Sequence, residues 1–376
     1  MQLKLPPIAK IGDSLDQVSS PALVIDLDAF DANIKKMADF SRQHKIAVRP
    51  HAKAHKSTAI ARAQIANGAV GICCQKLSEA YPFALQGIDN IHISNQFVGA
   101  DKIAMAVALA RHVNLSICVD HVAQIVPLGK AAKQAGVRIT VIPEVDVGHG
   151  RCGVSNADDL LGLLDVISRH DALTFGGLQA YHGGAQHVGD WDQRQIAARL
   201  SADVAAAYVK QLDARGVQCK VVTGGGTGSV EFDASSGVYT ELQPGSYVFM
   251  DRSYGSNEWK GTMKFQHSLF IVSTIMSTAR TGKVVCDVGL KGVAVDSGMP
   301  LVASQKHASS LRYIAANDEH GILEVLDDDV RDRLGERLLL IPGHCDPTAN
   351  LYNQYVGFRG NTVECLWDID ARGLSQ

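Results

Sequence analysis

The chain has 376 residues, of which 46% are hydrophobic and 20% are charged, and its formal net charge is −3. This balance is typical of a soluble globular protein with a sizeable core and excludes a largely disordered chain. Because no block of lysines and arginines stands out, we predict neither a nucleic-acid partner nor an anionic membrane partner. No apolar run approaches the roughly 20 residues that span a bilayer, and the first residues do not resemble a secretory signal, so we predict a cytoplasmic protein.

Short β-branched segments alternate with amphipathic segments over the first two thirds of the chain. The predicted strands are residues 46–51, 70–74, 91–95, 113–119, 138–145, 174–181, 219–223 and 239–249. Helical patterns lie between the first seven strands, for example at 100–111, 122–135 and 194–215. Eight such units predict a closed parallel (β/α)8 barrel of the TIM type. A doubly wound open sheet is the alternative, since the number of strands does not separate the two.

The pattern changes after residue 251. Short predicted strands follow one another at 268–278, 284–288, 321–326, 337–342, 355–359 and 361–369, with hardly a helix between them. This pattern is typical of a mainly antiparallel β-domain. The strand-like run 21–27 lies outside the eight-strand count, so we assign it to the same domain. We therefore predict a barrel at 28–262 and a β-strand domain made of 1–27 and 263–376.

A lysine follows the first predicted barrel strand, which ends in the sequence RPHAK. The two-residue period of a strand puts Arg49, His51 and Lys53 on one face. Barrel enzymes place their chemistry at this end of the strands, and a lysine facing the inside is costly unless it is paired or catalytic. The alternative is that Lys53 extends to solvent at the rim. Lys56 is expected in the first turn of a helix and exposed.

Two later strand ends also carry functional groups. After the fifth strand, the loop GHGRCG at 148–153 offers Arg151, whose rigid guanidinium suits an anionic oxygen. After the sixth strand, Tyr181 and His182 put an aromatic ring and an imidazole at the rim. A packing role for either ring is the alternative.

Glycine-rich turns follow the seventh strand and lie within the eighth. The sequence TGGGTGS at 223–229 exposes several backbone N–H groups, which is how proteins cradle phosphate. No lysine follows Gly228, which excludes a Walker loop. A second turn with Gly245 and Ser246 can donate to the same anion. A lysine at the first strand and a phosphate site at the last strands together predict pyridoxal 5′-phosphate (PLP), which needs a Schiff-base amine and an anion site.

The second predicted domain contains the sequence PGHCDP at 342–347. If this run is extended, His344 and Asp346 share a face and Cys345 points away. One imidazole and one carboxylate bind a divalent ion while leaving most coordination positions open, and the oxygen ligand favours Mn²⁺ or Mg²⁺ over Zn²⁺. Spacing alone favours the alternative, which is a surface turn with a His–Asp hydrogen bond.

Five segments resemble one known family. They are residues 49–56 (RPHAKAHK), 71–80 (GICCQKLSEA), 91–95 (IHISN), 224–229 (GGGTGS) and 342–347 (PGHCDP). These segments are similar to those of the bacterial D-threonine aldolases, which belong with the D-serine dehydratases and the alanine-racemase fold among PLP enzymes. The resemblance extends from residue 21 to about residue 373.

The resemblance implies a PLP-binding barrel, a β-domain and a homodimer. It implies that Lys53 is the Schiff-base lysine, that Arg151 contacts the phenolic oxygen of the cofactor and that Tyr181 lies beside its ring. The residues that it implies around the phosphate are Thr223, Gly225, Gly226, Gly245 and Ser246. It implies that His344 and Asp346 hold the metal.

The resemblance also implies a reaction. We expect PLP- and divalent-metal-dependent cleavage of D-threonine and related D-3-hydroxy-amino acids to glycine and an aldehyde, with Lys53, His344 and Asp346 catalytic. The family's dehydratases carry His-x-Cys at the last motif, and Asp346 in place of that cysteine favours the aldolase. The alternatives on the same fold are a 3-hydroxy-D-aspartate aldolase and a D-serine or 3-hydroxyaspartate dehydratase. A non-catalytic PLP carrier is a further alternative, which the presence of the whole β-domain disfavours.

Overall fold

The computed structural model describes residues 5–303, 310–326 and 332–376; the other stretches of the predicted β-strand domain lie outside the described residues. The strands are β1 (Ala22–Asp26), β2 (Ala47–Val48), β3 (Ile72–Cys74), β4 (Asn90–Ile93), β5 (Asn114–Val119), β6 (Ile139–Pro143), β7 (Leu173–Phe175), β8 (Leu178–Ala180), β9 (Val222–Gly224), β10 (Glu241–Leu242), β11 (Leu269–Arg280), β12 (Lys283–Cys286), β13 (Leu301–Val302), β14 (Leu311–Ala316), β15 (Gly321–Val325), β16 (Arg337–Ile341), β17 (Gln354–Arg359) and β18 (Thr362–Asp368). The helices are α1 (Leu27–His44), α2 (Thr58–Ala66), α3 (Leu77–Leu85), α4 (Ala100–Leu109), α5 (Val122–Ala135), α6 (Ala157–Ser168), α7 (Trp191–Ala214), α8 (Val230–Ser235), α9 (Arg252–Gly255) and α10 (Cys345–Ala349).

The strands of the first part of the chain close into a parallel ring. One sheet has the order β3-β4-β5-β6-β7, and a second has the order β2-β10-β9-β8. Two parallel bridges, His51 with Cys73 and Glu144 with Gln179, join the sheets at both edges. The predicted barrel is therefore confirmed, and the open doubly wound sheet is excluded because no edge remains between β2 and β3.

The second sheet is mainly antiparallel, as predicted. Its order is β14-β15-β12-β11-β1-β17-β18, with β16 beside β11 and β13 beside β16. Among the described strands of this sheet, β1 and β17 form the parallel pair. The early strand β1 thus joins the C-terminal strands, and its residues Leu23, Val24 and Ile25 are fully buried. This burial explains why an isolated apolar run at the start of the chain is strand-like without belonging to the barrel.

The chain divides into two compact units. The β-strand unit comprises residues 1–34, 246–256 and 265–372, and the barrel unit comprises 35–245, 257–264 and 373–376. The predicted barrel, 28–262, included residues 28–34 and 246–256, which here group with the β-strand unit. Across the described residues, every helix is too short or too polar to cross a membrane.

Several predicted elements differ from the structure in extent. The predicted strand 174–181 is interrupted between β7 and β8, where Gly177 has φ +140°. A side chain is excluded at this position, because a Cβ would lie 2.1 Å from the carbonyl oxygen of Val221. The predicted strand 239–249 is reduced to β10, because Pro244 has no N–H to donate and Ser246–Val248 form a 3₁₀ turn. Strands β13 and β14 were missed. Residues 228–237, where no clear helix was predicted, contain α8.

Candidate active site

Lys53 lies just beyond β2, but not on an extended strand as predicted. Residues 52–54 form one turn of 3₁₀ helix, and the preceding His51 caps it by accepting a hydrogen bond from the Lys53 N–H at its Nδ1, 3.4 Å away. The Nε2 of the same ring lies 2.9 Å from Ser94 Oγ and 3.1 Å from Gln75 Oε1. These contacts hold the turn that presents Lys53, whose side chain is half-buried.

The second predicted anion-binding turn packs directly against the turn that carries Lys53. A Cβ on Gly245 would lie 3.1 Å from the carbonyl oxygen of His51 and 3.3 Å from the Cβ of Ala54. The His51 N–H donates to the carbonyl oxygen of Pro244 at 3.1 Å. The structure thus places Gly245 against the turn that carries Lys53, and the close approach there favours glycine.

Lys56 is buried, so the expectation of an exposed lysine is wrong. Its φ is +51°, and its ammonium lies 3.0 Å from the Oε1 of Glu79, with 9% and 5% of the two side chains exposed. The residue does not begin a helical turn, because α2 starts two residues later at Thr58. A left-handed residue between the 3₁₀ turn and α2 instead directs the side chain inward.

The loops after β6 and β8 bring Arg151 and Tyr181 together. The guanidinium carbon of Arg151 lies 5.5 Å from the centroid of the Tyr181 ring, a cation–π contact. Asp146 accepts hydrogen bonds from the backbone N–H groups of the next glycine-rich residues, 148, 149 and 150. His149 Nδ1 accepts from the Gly183 N–H at 2.6 Å and so ties the two loops to each other. Burial and the nearby charge of Arg151 lower the pKa of His149.

The glycine-rich loop after β9 is buried along its whole length. Gly225 has φ +68°, and a Cβ on it would lie 2.4 Å from the Oδ2 of Asp233. The hydroxyl Oγ1 of Thr227 is buried and makes no hydrogen bond to the described residues. An unpartnered buried hydroxyl is costly. In the same loop, the Gly226 N–H donates to Ser229 Oγ at 3.4 Å and the Gly228 N–H donates to Gln186 Oε1 at 3.0 Å, so two backbone donors of the loop are already engaged.

Asp233, on α8, lies beneath this loop. It accepts a hydrogen bond from Ser229 Oγ at 2.5 Å, and Ser229 in turn accepts from the amide of Gln186 at 2.8 Å. Burial raises the pKa of the Asp233 carboxyl to about 7. Sequence analysis missed Asp233, because an aspartate in a short helix is ordinarily exposed.

Thr223 faces the inside of the barrel. Its hydroxyl donates to Glu241 at 2.7 Å and accepts from Gln243 at 2.8 Å, while Glu241 also accepts from Arg49 at 2.9 Å. Burial and the positive charge of Arg49 lower the pKa of the nearby His92 to about 4. The Thr223 hydroxyl is therefore part of a buried polar network at the base of the glycine loop.

In the β-strand unit, His344 and Asp346 lie side by side. The His344 Nε2 is 3.7 Å from an Oδ2 of Asp346. On the other side of the ring, Nδ1 lies 2.7 Å from Asp251 Oδ2, which also accepts from the Cys345 N–H at 2.9 Å. Asp251 is fully buried, and its other oxygen accepts from the Tyr254 N–H at 2.9 Å. Asp251 thus fixes the imidazole and leaves Nε2 beside Asp346.

The local conformation of this motif differs from the extended run predicted. His344 is extended, but Cys345 and Asp346 begin α10. Cys345 is nevertheless buried, 3.2 Å from Asp346 Oδ1, and burial raises the pKa of its thiol well above the usual range. The side chains of Asp251, His344 and Cys345 lie close enough to one another to hold a metal ion. Because Asp251 Oδ2 already accepts from His344 Nδ1 and from the Cys345 N–H, the Nε2 side of the ring, beside Asp346, is the better candidate.

Asp251 was missed by the sequence analysis. It lies 93 residues before His344, in a segment without a recognisable motif. Backbone hydrogen bonds bring Asp251 and His344 together. The N–H groups of Arg252 and Ser253 donate to the carbonyl oxygens of Pro342 and Gly343, at 3.0 and 3.1 Å. The other predicted site residue of this unit is Ser246, which is buried.

Two family models and a similar protein of known activity identify the family of this chain. The model for the alanine racemase N-terminal domain matches residues 25–253, and that for a putative serine dehydratase domain matches 268–358. A D-threonine aldolase of an Arthrobacter species is 47% identical over 374 residues, which are 100% of this chain and 98% of that protein. The chain belongs to the D-threonine aldolase and D-serine dehydratase family. The resemblance found in the sequence is confirmed.

Two further proteins similar to this chain support the same family assignment. A 3-hydroxy-D-aspartate aldolase of Paracoccus denitrificans is 39% identical, with 95% of this chain and 93% of that protein covered. The crystal structure of a D-threonine aldolase from Filomicrobium marinum matches with a TM-score of 0.95 and 42% identity, covering 98% of this chain and 100% of that one. The protein is an enzyme of the lyase class, and its family supports PLP as the cofactor.

Proposed function

We propose that this enzyme cleaves D-threonine and related D-3-hydroxy-amino acids to glycine and an aldehyde, using PLP and a divalent metal ion. The observation that carries the proposal is the pair of His344 Nε2 and Asp346 Oδ2, 3.7 Å apart. It supplies one nitrogen and one oxygen ligand, in a chain 47% identical to a D-threonine aldolase. A cysteine in place of Asp346 would instead suit a softer ion.

The barrel unit fits PLP. Lys53 would hold the cofactor through its aldehyde carbon, Arg151 its phenolic oxygen, and Tyr181 would lie beside its ring. The residues of this unit proposed to surround the phosphate are Gly225, Gly226 and Gly245, which Ser246 follows directly in the chain, with Thr223 fixing the start of the loop. The buried hydroxyl of Thr227, which makes no hydrogen bond to the described residues, supports an anion there and adds a residue to this set. When bound, PLP supplies an acceptor for the electron pair released as a bond to Cα breaks.

The β-strand unit fits one divalent ion. His344 Nε2 and Asp346 Oδ2, 3.7 Å apart, would supply its two protein ligand atoms. Asp251 accepts from His344 Nδ1 and so keeps the proton there, which leaves the Nε2 lone pair for the ion. We propose Mn²⁺ or Mg²⁺ rather than Zn²⁺, because a carboxylate oxygen is the second ligand. When bound, the ion supplies a positive charge that lowers the pKa of an oxygen beside it.

The chain's own groups have separate tasks in this proposal. Cleavage between Cα and Cβ requires the β-hydroxyl to lose its proton while glycine gains one at Cα. Asp251 holds His344 in one tautomer, and Arg151, held over Tyr181, anchors the cofactor ring. The buried network around Thr223 and Glu241 keeps the barrel floor rigid beneath the glycine loop.

We further propose a cytoplasmic homodimer. The family resemblance supports the dimer. Sedimentation of the purified protein tests the dimer directly.

A second candidate, cleavage of 3-hydroxy-D-aspartate, is favoured by the 39% identity to an aldolase named for that substrate. The test is product analysis with D-threonine and with D-3-hydroxyaspartate, each with and without EDTA. Glycine with acetaldehyde from D-threonine, lost with EDTA, supports the proposal, whereas glycine formed from D-3-hydroxyaspartate alone supports the second candidate. A keto acid with ammonia would indicate a dehydratase, and no turnover of either substrate by PLP-loaded protein would indicate a carrier.

A further inference from the structure

Lys56 and Glu79 form an ion pair inside the barrel unit that the proposed chemistry leaves unused. The Lys56 Nζ lies 3.0 Å from Glu79 Oε1, and both side chains are at least nine-tenths buried. A lysine that is buried to this extent is rare unless it has a partner. Its position, three residues after Lys53 and in a left-handed conformation, sets it directly beyond the turn that presents the proposed cofactor lysine.

The second carboxylate oxygen of Glu79 is also hydrogen-bonded. Oε2 accepts hydrogen bonds from the backbone N–H groups of Gln75 and Lys76, at 2.8 and 3.1 Å, and so caps the start of α3. The Glu79 side chain is therefore held in place by the two residues that follow β3, and Lys56 pairs with a fixed carboxylate. The pair connects the segment after β2 to the segment after β3.

The same connection is made on the near side of Lys53. His51 Nε2 lies 3.1 Å from the side-chain oxygen of Gln75, and His51 Nδ1 accepts from the Lys53 N–H. The turn 52–54 thus has a contact to residues 75–79 on each side. His51 contacts Gln75 before the turn, and Lys56 pairs with Glu79 after it.

The last residues of the chain complete this arrangement. The Lys56 ammonium donates to the carbonyl oxygen of Leu374 at 3.3 Å. Ser78 and Gln376 exchange two hydrogen bonds, from the Ser78 N–H to the Gln376 carbonyl oxygen at 3.0 Å and from the Gln376 N–H to Ser78 Oγ at 2.9 Å. Leu374 thus gives the buried Lys56 ammonium a second hydrogen-bond acceptor besides Glu79.

We propose that the Lys56–Glu79 pair is a positioning element that holds the turn 52–54 so that the amine of Lys53 meets the aldehyde carbon of PLP. The inference rests on the proposed function, because it assumes that Lys53 binds PLP. A displacement of a reacting amine by about 1 Å can cost on the order of 100-fold in a reaction that depends on its position. The pair acts through Lys53 and does not itself touch the reacting atoms.

The experiment measures PLP binding by the stripped enzyme rather than turnover alone. Lys56→Met and Glu79→Gln each break the pair, and Lys56→Arg keeps a charge for Glu79. The matched control is Arg333→Met, which breaks the similarly buried pair of Arg333 with Glu336 in the β-strand unit. PLP is titrated by absorbance, the melting temperature is recorded, and borohydride reduction followed by peptide mapping identifies the labelled lysine.

We expect the dissociation constant for PLP to rise about tenfold or more in Lys56→Met and Glu79→Gln, and less in Lys56→Arg. Arg333→Met should lower the melting temperature and leave the constant unchanged. The inference is overturned if Lys56→Met lowers the melting temperature as the control does but binds PLP as the wild type does. If Lys56→Met fails to fold, the same criterion applies to Glu79→Gln and to Lys56→Met combined with Glu79→Leu. Label on a residue other than Lys53 in the wild type would refute the proposed function itself.

Discussion

The barrel unit and the β-strand unit assemble their candidate functional groups in different ways. In the barrel unit the groups come from the ends of separate strands, with Lys53 after β2, Arg151 after β6 and Tyr181 after β8. In the β-strand unit one short sequence supplies His344 and Asp346, and a single distant carboxylate fixes the imidazole. A site carried by one short sequence needs only local geometry and one distant partner to form, whereas a site built from strand ends depends on closure of the whole barrel.

Lys53→Ala has the largest expected effect and separates the two units. Without the amine, cleavage should fall to background, and borohydride should attach no PLP to the protein. Affinity for Mn²⁺ should be unchanged, since the ligands belong to the other unit. Lys36→Ala, which changes an exposed lysine on α1, is the control and should keep full activity. Retained label on a different lysine would contradict the assignment.

Asp251→Asn tests how far the metal ligands depend on the residue that orients them. Asparagine cannot accept from both His344 Nδ1 and the Cys345 N–H through the same oxygen while also accepting from the Tyr254 N–H. Loss of such an orienting partner typically costs about 10- to 100-fold in metal affinity. Calorimetric titration with Mn²⁺ measures this loss, and PLP binding should be unaffected.

The control for this variant is Asp287→Asn. Asp287 accepts hydrogen bonds from Ser20, Ser273 and the Thr274 N–H in the same unit. It should lower stability without changing the affinity for Mn²⁺. Equal losses of metal affinity in both variants would show that Asp251 acts only on stability.

Gly225→Val examines the glycine loop of the barrel unit. A β-branched residue at φ +68° costs about 1–2 kcal/mol, and its Cβ would meet Asp233 Oδ2 at 2.4 Å. We expect PLP binding to weaken about tenfold, the factor that corresponds to about 1.4 kcal/mol. Gly237→Val is the matched control, because its φ is +72° but nothing lies within 4 Å of the new Cβ. Equal PLP affinity in the two variants would remove the support for a phosphate site at this loop.

The comparison also explains what the sequence could predict. Periodicity found the barrel strands, with β7 and β8 as one segment, because they are short and apolar and most are separated by helical patterns. It also found β1 as an outlier. It overestimated the strand at 239–249, where Pro244 prevents continued pairing, and it placed Lys56 on the surface because a single buried ion pair leaves no periodic trace. The partner residue Glu79 lies 23 positions away, and Asp251 lies 93 positions from His344. Such pairs depend on tertiary contacts that spacing does not encode.

The smallest expected effect concerns Asp233 and the pH dependence of stability. Burial raises the pKa of this carboxyl from 3.8 to about 7, so between these values the folded protein holds a proton that the unfolded chain has released. The stabilising contribution of this carboxyl is present in full below the unfolded value and is lost as pH rises through the folded value, so in the PLP-free protein it should decline between pH 4 and 7. Asp233→Asn keeps an oxygen that can accept from Ser229 but removes the ionisation. The variant should match the wild type in acid and exceed it at pH 8 by about 1 kcal/mol or more in free energy of unfolding.

Urea unfolding across the pH range measures the difference. Asp213→Asn, which changes an exposed aspartate on α7, is the control and should follow the wild type. Parallel curves for Asp233→Asn and wild type would mean that the carboxyl is already ionised in the folded protein at neutral pH. The glycine loop would then have a fixed negative charge beneath it, which argues against an anion at that position.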